Sequence, residues 1–111
     1  MQVTTENKNG SLVIVTEGRV DGSNAPEFQE ALKEAIKEGG QKVILDFEHL
    51  SYISSAGLRV ILMFAKQLRR ENISFAACSL IASVKDIFAI SGFDKIIPIH
   101  ESQNEAMAAL G

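Results

Sequence analysis

The chain has no tryptophan, one tyrosine, one cysteine, two prolines and two histidines among its 111 residues. Each scarcity removes a class of function. A lone cysteine, Cys78, cannot close an intrachain disulfide, and no charged leader with an apolar stretch and cleavage site opens the sequence, so a reducing cytoplasm is the expected compartment. The longest uninterrupted apolar run, Val60 to Ala65, falls far short of the ~20 residues that cross a bilayer. Direct membrane insertion is therefore not expected. His49 and His100 lie far apart with no Cys or His at ligand spacing, which leaves no metal site and no cofactor to propose. Asp21 and Asp46 lack further oxygen ligands at regular spacing and read as loop caps.

Basic excess is missing too. Eleven Lys and Arg against fourteen Asp and Glu give a net charge of −3, and with so few stacking aromatics a nucleic-acid partner is not expected. Phosphate-binding glycine loops and the G-x-S-x-G nucleophile turn are absent, and the serines near position 55 have no positioned base or oxyanion hole. The chain does not read as an enzyme.

What is present is a well-patterned small domain, 46% hydrophobic. A chain this long hides roughly 65% of its unfolded surface, enough for one core without staples. Residues 1–111 are expected to form one domain. Val3 and Thr5 alternate with polar neighbours, Asn9-Gly10 marks a turn, and Leu12 to Val15 form a β-branched run: a β-hairpin ending near Gly18. Arg19 to Asn24 reads as a loop, with Asn24 and Glu27 as a box-like cap and Pro26 in the first helical turn. Phe28, Ala31, Leu32, Ala35 and Ile36 then share one helical face, closed by Gly39-Gly40. Val43 to Phe47 is the pattern of a strand covered on both sides. A second helix is expected from Ser55 or Ala56 to Glu71, a strand over Ile73 to Ala77, and a helix from Leu80 to Ser91 stopped by Gly92-Phe93. A last strand, Ile96 to Ile99, takes an edge position because of Pro98. Ser102 caps a final helix, Gln103 to Leu110. The implied architecture is α/β, a mixed sheet of four or five strands fed by the hairpin, with about four helices. Its expected core includes Leu12, Ile14, Phe28, Leu32, Ile44, Leu58, Leu62, Phe75, Val84 and Phe88.

The informative segment runs from Asp46 to Arg59. It sets small hydroxyl residues between a buried strand and a long helix, where the first N–H groups lack partners and the helix dipole favours negative charge. A serine there serves as an N-cap. The sharper reading is a phosphorylation switch, since phosphoserine adds about −1.5 to −2 charges and three acceptor oxygens, with Ala56 and Gly57 leaving space around it. Both readings stand on the residues alone.

The strand ending in Asp46, followed by Ser54-Ser55, Gly57 and Leu58, resembles the signature of STAS domains of the anti-sigma factor antagonist (anti-anti-sigma factor) family. Gly18-Arg19-Val20-Asp21 is similar to that family's Gly-x-x-Asp, and Phe88 to Ile96 resembles its Phe-x-x-Ser-Gly-Phe-x-Lys-Ile ending. The resemblance covers essentially the whole chain. It implies partner switching: the unphosphorylated protein binds a Ser/Thr kinase-type anti-sigma factor and releases the sigma factor, phosphorylation prevents binding, and a PP2C-type phosphatase restores it. The matched acceptor is Ser55, with Ser54 as the alternative, because Ser54 stands where many members carry Asp and Ala56 where many carry Ser or Thr. The other role such domains play, as accessory or ligand-sensing modules of membrane transport or signalling systems without a phosphorylation cycle, is the alternative. By helical spacing Val60 and Met63 project away from the core stripe. They are expected to join Asp21, Gly22, Ser23, Asn24, Ser54, Ser55, Ala56, Gly57 and Arg59 in the surface that meets the partner, on a monomer or weak dimer.

Overall fold

The structure, a computed structural model, describes residues 1–110. Strands β1 (Gln2–Lys8) and β2 (Ser11–Val20) form the expected antiparallel hairpin. Its turn works because Asn9 and Gly10 both take positive φ, 50° and 81°, the conformation that matches the right-handed twist of the flanking strands. From β2 the sheet grows in parallel through β3 (Lys42–Asp46) and β5 (Ser74–Cys78) to a two-residue edge strand, β6 (Ile99–His100). A further strand, β4 (Leu50–Ile53), pairs parallel with the far end of β2. The sheet thus has six strands, β4 being the one that local patterning did not reveal.

Alternation along each strand sorts the core into two layers. Leu12, Ile14, Val43, Leu45, Phe75 and Ala77 face a large cluster with helices α1 (Ala25–Ile36), α2 (Ser55–Arg70) and α3 (Ala82–Ile90). Val13, Ile44, Ala76 and Cys78 face the other way, onto Ala106, Met107 and Leu110 of α4 (Gln103–Leu110). Covered on both sides, β3 is apolar nearly throughout. Burial pushes the Cys78 thiol up to about 11, so at neutral pH this side chain is a small buried hydrophobe and no nucleophile.

Several expectations shift. The strand β2 continues to Val20 and absorbs the start of the expected loop. Asn24 precedes α1 but does not cap it: its Oδ1 accepts from the Asp21 N–H at 2.9 Å and its Nδ2 donates to the Arg19 carbonyl at 2.8 Å. The side chain shapes the loop behind it instead. The last strand is shorter than Ile96 to Ile99, because Phe93–Lys95 winds into a 3-10 turn and Pro98 has no N–H to give the ladder. Pro98 still takes part as an acceptor, through Ala77 N–H at 2.8 Å, and the strand lies on the edge as expected. Gly92, at φ 79°, ends α3, and Phe93 folds back edge-on to Phe88 with ring centroids 6.0 Å apart. Ser102 caps α4 by accepting from the Glu105 N–H at 3.1 Å. Of the expected core, only Leu62 is merely half-buried.

Candidate functional site

The site forms where β2 and β4 end together. The Ser54 N–H donates to the Val20 carbonyl at 2.9 Å, and this bond pins the start of α2 beside the Asp21–Asn24 loop. Ser54 is extended and acts as the N-cap, its Oγ accepting from the Gly57 N–H at 3.4 Å while its carbonyl takes the Leu58 N–H at 2.9 Å. Ser55, the first helical residue, is exposed, and its hydroxyl has no hydrogen-bond partner among the described residues. The two adjacent serines therefore differ physically: one hydroxyl is occupied and half-buried, the other free.

The Asp21–Asn24 loop is held by its own side chains. Asp21 Oδ1 accepts from both the Ser23 N–H, at 2.9 Å, and the Ser23 hydroxyl, at 2.6 Å. The Ser23 hydroxyl, with that N–H second, lowers the Asp21 carboxyl below its ordinary value. Gly22, Ala25, Pro26 and Gln29 then form one wall of a shallow groove whose other wall is Ala56, Arg59, Val60 and Met63 of α2. A second, more apolar depression on the opposite side of α2 is lined by Ser55, Leu58, Arg59 and Leu62 together with Ser91 and Phe93. Arg59 borders both.

Most of the expected contact residues are thus brought to one end of the domain, with two corrections. Val60 does not project into solvent. It is 8% exposed and packs in the α1–α2 seam, because α1 covers α2 more broadly than a single helical stripe suggests; Phe64, absent from the expected core, is buried in the same seam. Met63 is 53% exposed, as the spacing predicts. Gly57 is not part of an exposed contact surface: it is buried, and a Cβ there would come within 2.7 Å of Ile53 Cγ1 and 2.8 Å of Val20 Cγ1. The glycine lets the first turn of α2 lie directly on the ends of β2 and β4. Gly57→Ala is expected to cost about 1 to 3 kcal/mol through overpacking, outweighing alanine's better helix propensity. A urea melt equal to wild type would show that the turn has room to spare.

Asp46 belongs to the framework. Nearly buried, it accepts from the Glu48 N–H at 3.0 Å through Oδ1 and from Gln103 Nε2 through Oδ2, tying the β3–β4 turn to α4. Sequence reasoning missed Ser91 and Phe93 as neighbours of Ser55, and the Arg19 guanidinium stacked 4.5 Å over the Tyr52 ring beside the loop. Only the Gly92-Phe93 stop hinted at the first. No cluster of three or more metal-ligating side chains occurs among the described residues, and no helix there is long and apolar enough to cross a membrane.

Comparison with known proteins gives this geometry a family. The STAS domain model matches residues 2–106. BtrV of Bordetella bronchiseptica, a protein assigned as an anti-sigma factor antagonist, is 39% identical over 109 residues, covering 98% of this chain and 94% of BtrV. An anti-sigma factor antagonist from Mycobacterium paratuberculosis has the same fold, with a TM-score of 0.89 at 18% identity over 98% of this chain and 92% of that one. The phosphorylated form of the Bacillus cell fate determinant SpoIIAA superposes with a TM-score of 0.71 at 20% identity, over 99% of this chain and 100% of that one. With a family model spanning nearly its whole length and a relative so similar across it, this chain belongs to the STAS domain family, among the anti-sigma factor antagonists.

Proposed function

We propose that this chain is a partner-switching protein that binds a Ser/Thr kinase-type anti-sigma factor when Ser55 is unmodified and lets go when Ser55 is phosphorylated. The observation that carries the reading is the difference between the two serines. Ser54 Oγ is committed to capping α2, whereas Ser55 Oγ is exposed and unpartnered in the depression it shares with Leu58, Arg59, Leu62, Ser91 and Phe93. A kinase would transfer the γ-phosphoryl group of ATP to Ser55 Oγ, with loss of the hydroxyl proton and release of ADP. A PP2C-type phosphatase would hydrolyse the ester back to serine and inorganic phosphate. In the unmodified state the partner would meet a neutral hydroxyl beside Arg59 and, across α2, the groove bordered by Gly22, Ala56 and the exposed Met63, with Ser23 in the adjoining loop. Val60 would support Met63 from below.

A dianion at the rim of that surface obstructs a partner shaped for a hydroxyl, while the α2 dipole stabilises the phosphate within its own chain. Peptide mass spectrometry after incubation with the anti-sigma kinase and ATP is expected to place the phosphate on Ser55. Phosphate found only on Ser54 or Ser51 would overturn the assignment.

A further inference from the structure

Arg59 lies one helical turn after Ser55. Residues four apart share a helical face, and side chains lean toward the helix N-terminus, so the Arg59 side chain extends over the turn that holds Ser55. Both residues are exposed and line the same depression. The guanidinium is uncommitted: the ion pairs within 4.0 Å among the described residues are Lys33–Glu30, Lys37–Glu34 and Lys85–Glu101, and α2 contains no acidic residue.

Its surroundings offer no competitor. In the groove toward α1 it faces Gly22, Ala25, Pro26 and Gln29, none of them charged. In the depression on the other side it meets Leu58, Leu62, Ser91 and Phe93, again uncharged. Arg59 is thus the one charged side chain lining either concavity, and it stands beside the hydroxyl proposed to gain a phosphate.

We infer that the Arg59 guanidinium takes the phosphate of phosphorylated Ser55 in a same-helix, charge-assisted pair. The inference rests on Ser55 as the modified residue. Phosphorylation then changes the surface twice: it adds an anion at the start of α2, and it withdraws from the partner the cation that both grooves share. Arg59 is a positioning residue for the phosphate, and the phosphorylated state is held in a defined geometry rather than as a freely rotating ester.

The test installs phosphoserine at position 55 during translation, so that no kinase is needed, and follows the phosphate resonance by phosphorus NMR through its second ionisation. A neighbouring guanidinium favours the dianion. The midpoint is therefore expected about 0.15 to 0.4 pH unit lower in the otherwise wild-type chain than in Arg59→Gln, with Arg59→Lys in between. The difference should shrink in about 1 M salt, where exposed pairs are screened. Arg59 is exposed, so neither variant threatens the fold. Superimposable titration curves for the arginine and glutamine chains would overturn the pair. Failure of the Ser55 reading shows separately, in the mass spectrum of the kinase-treated protein.

Discussion

Replacing Phe88 with alanine is expected to lower the unfolding free energy by about 3 to 5 kcal/mol. The ring is fully buried, tilted against Phe47 at a centroid distance of 6.1 Å and edge-on to Phe93 at 6.0 Å. From the last turn of α3 it reaches back to Phe47 just after β3, some forty residues earlier, and forward to the 3-10 turn that follows. Truncation loses the transfer energy of the ring and the aromatic contacts on both sides, and leaves a cavity between the buried Phe47 and the half-buried Phe93. Urea melts with an unchanged denaturant slope would report the loss directly. A loss below about 1 kcal/mol would mean that α3 is not anchored by this ring.

The same residues explain why much of the fold is legible in the sequence and some of it is not. The hairpin, β3, the helices and the Gly92 stop are written locally: Asn9-Gly10 carries positive φ, α1 and α2 carry apolar periodicity, and β3 is apolar on both faces from Val43 to Leu45. The strand β4 is not local. Glu48 to Ser54 holds alternating apolar and polar residues, but Ser51 and Tyr52 are adjacent and both exposed, so burial in Leu50–Ile53 does not follow that alternation. It is a strand because the Gly18 N–H finds the His49 carbonyl at 2.9 Å and the Ser54 N–H finds that of Val20 at 2.9 Å. Those partners lie some thirty residues away in the chain. The site divides in the same manner. Ser54, Ser55 and the Asp21–Asn24 loop are recognisable because caps and turns use few residue types. The burial of Gly57 and Val60 is not legible, because a helical projection gives a side chain's direction but not what lies beyond it. Ile53 and Val20 close over one, α1 over the other.

Ser55→Asp is expected to weaken binding to the anti-sigma kinase at least about tenfold, about 1.4 kcal/mol, while Ser55→Ala binds as wild type does. Alanine removes a hydroxyl that has no intramolecular partner, so neither the fold nor the neutral surface changes. Aspartate places a permanent negative charge at the first position of α2, which has no acidic residue in its first turn. There the helix dipole favours it by about 0.3 to 1 kcal/mol. The Asp variant should therefore melt at or slightly above the wild-type temperature while binding less well. Opposite signs for stability and affinity separate a surface effect from damage to the domain. Aspartate carries one charge where phosphoserine carries about −1.5 to −2, so its effect is a lower bound on that of the modification. Ser55→Asn, nearly the same size without the charge, distinguishes repulsion from bulk and is expected to bind within a few-fold of wild type. Calorimetric titration of the four proteins against the anti-sigma kinase, with thermal melts alongside, measures all of this. Equal affinities for the Ala and Asp variants would move the switch away from Ser55.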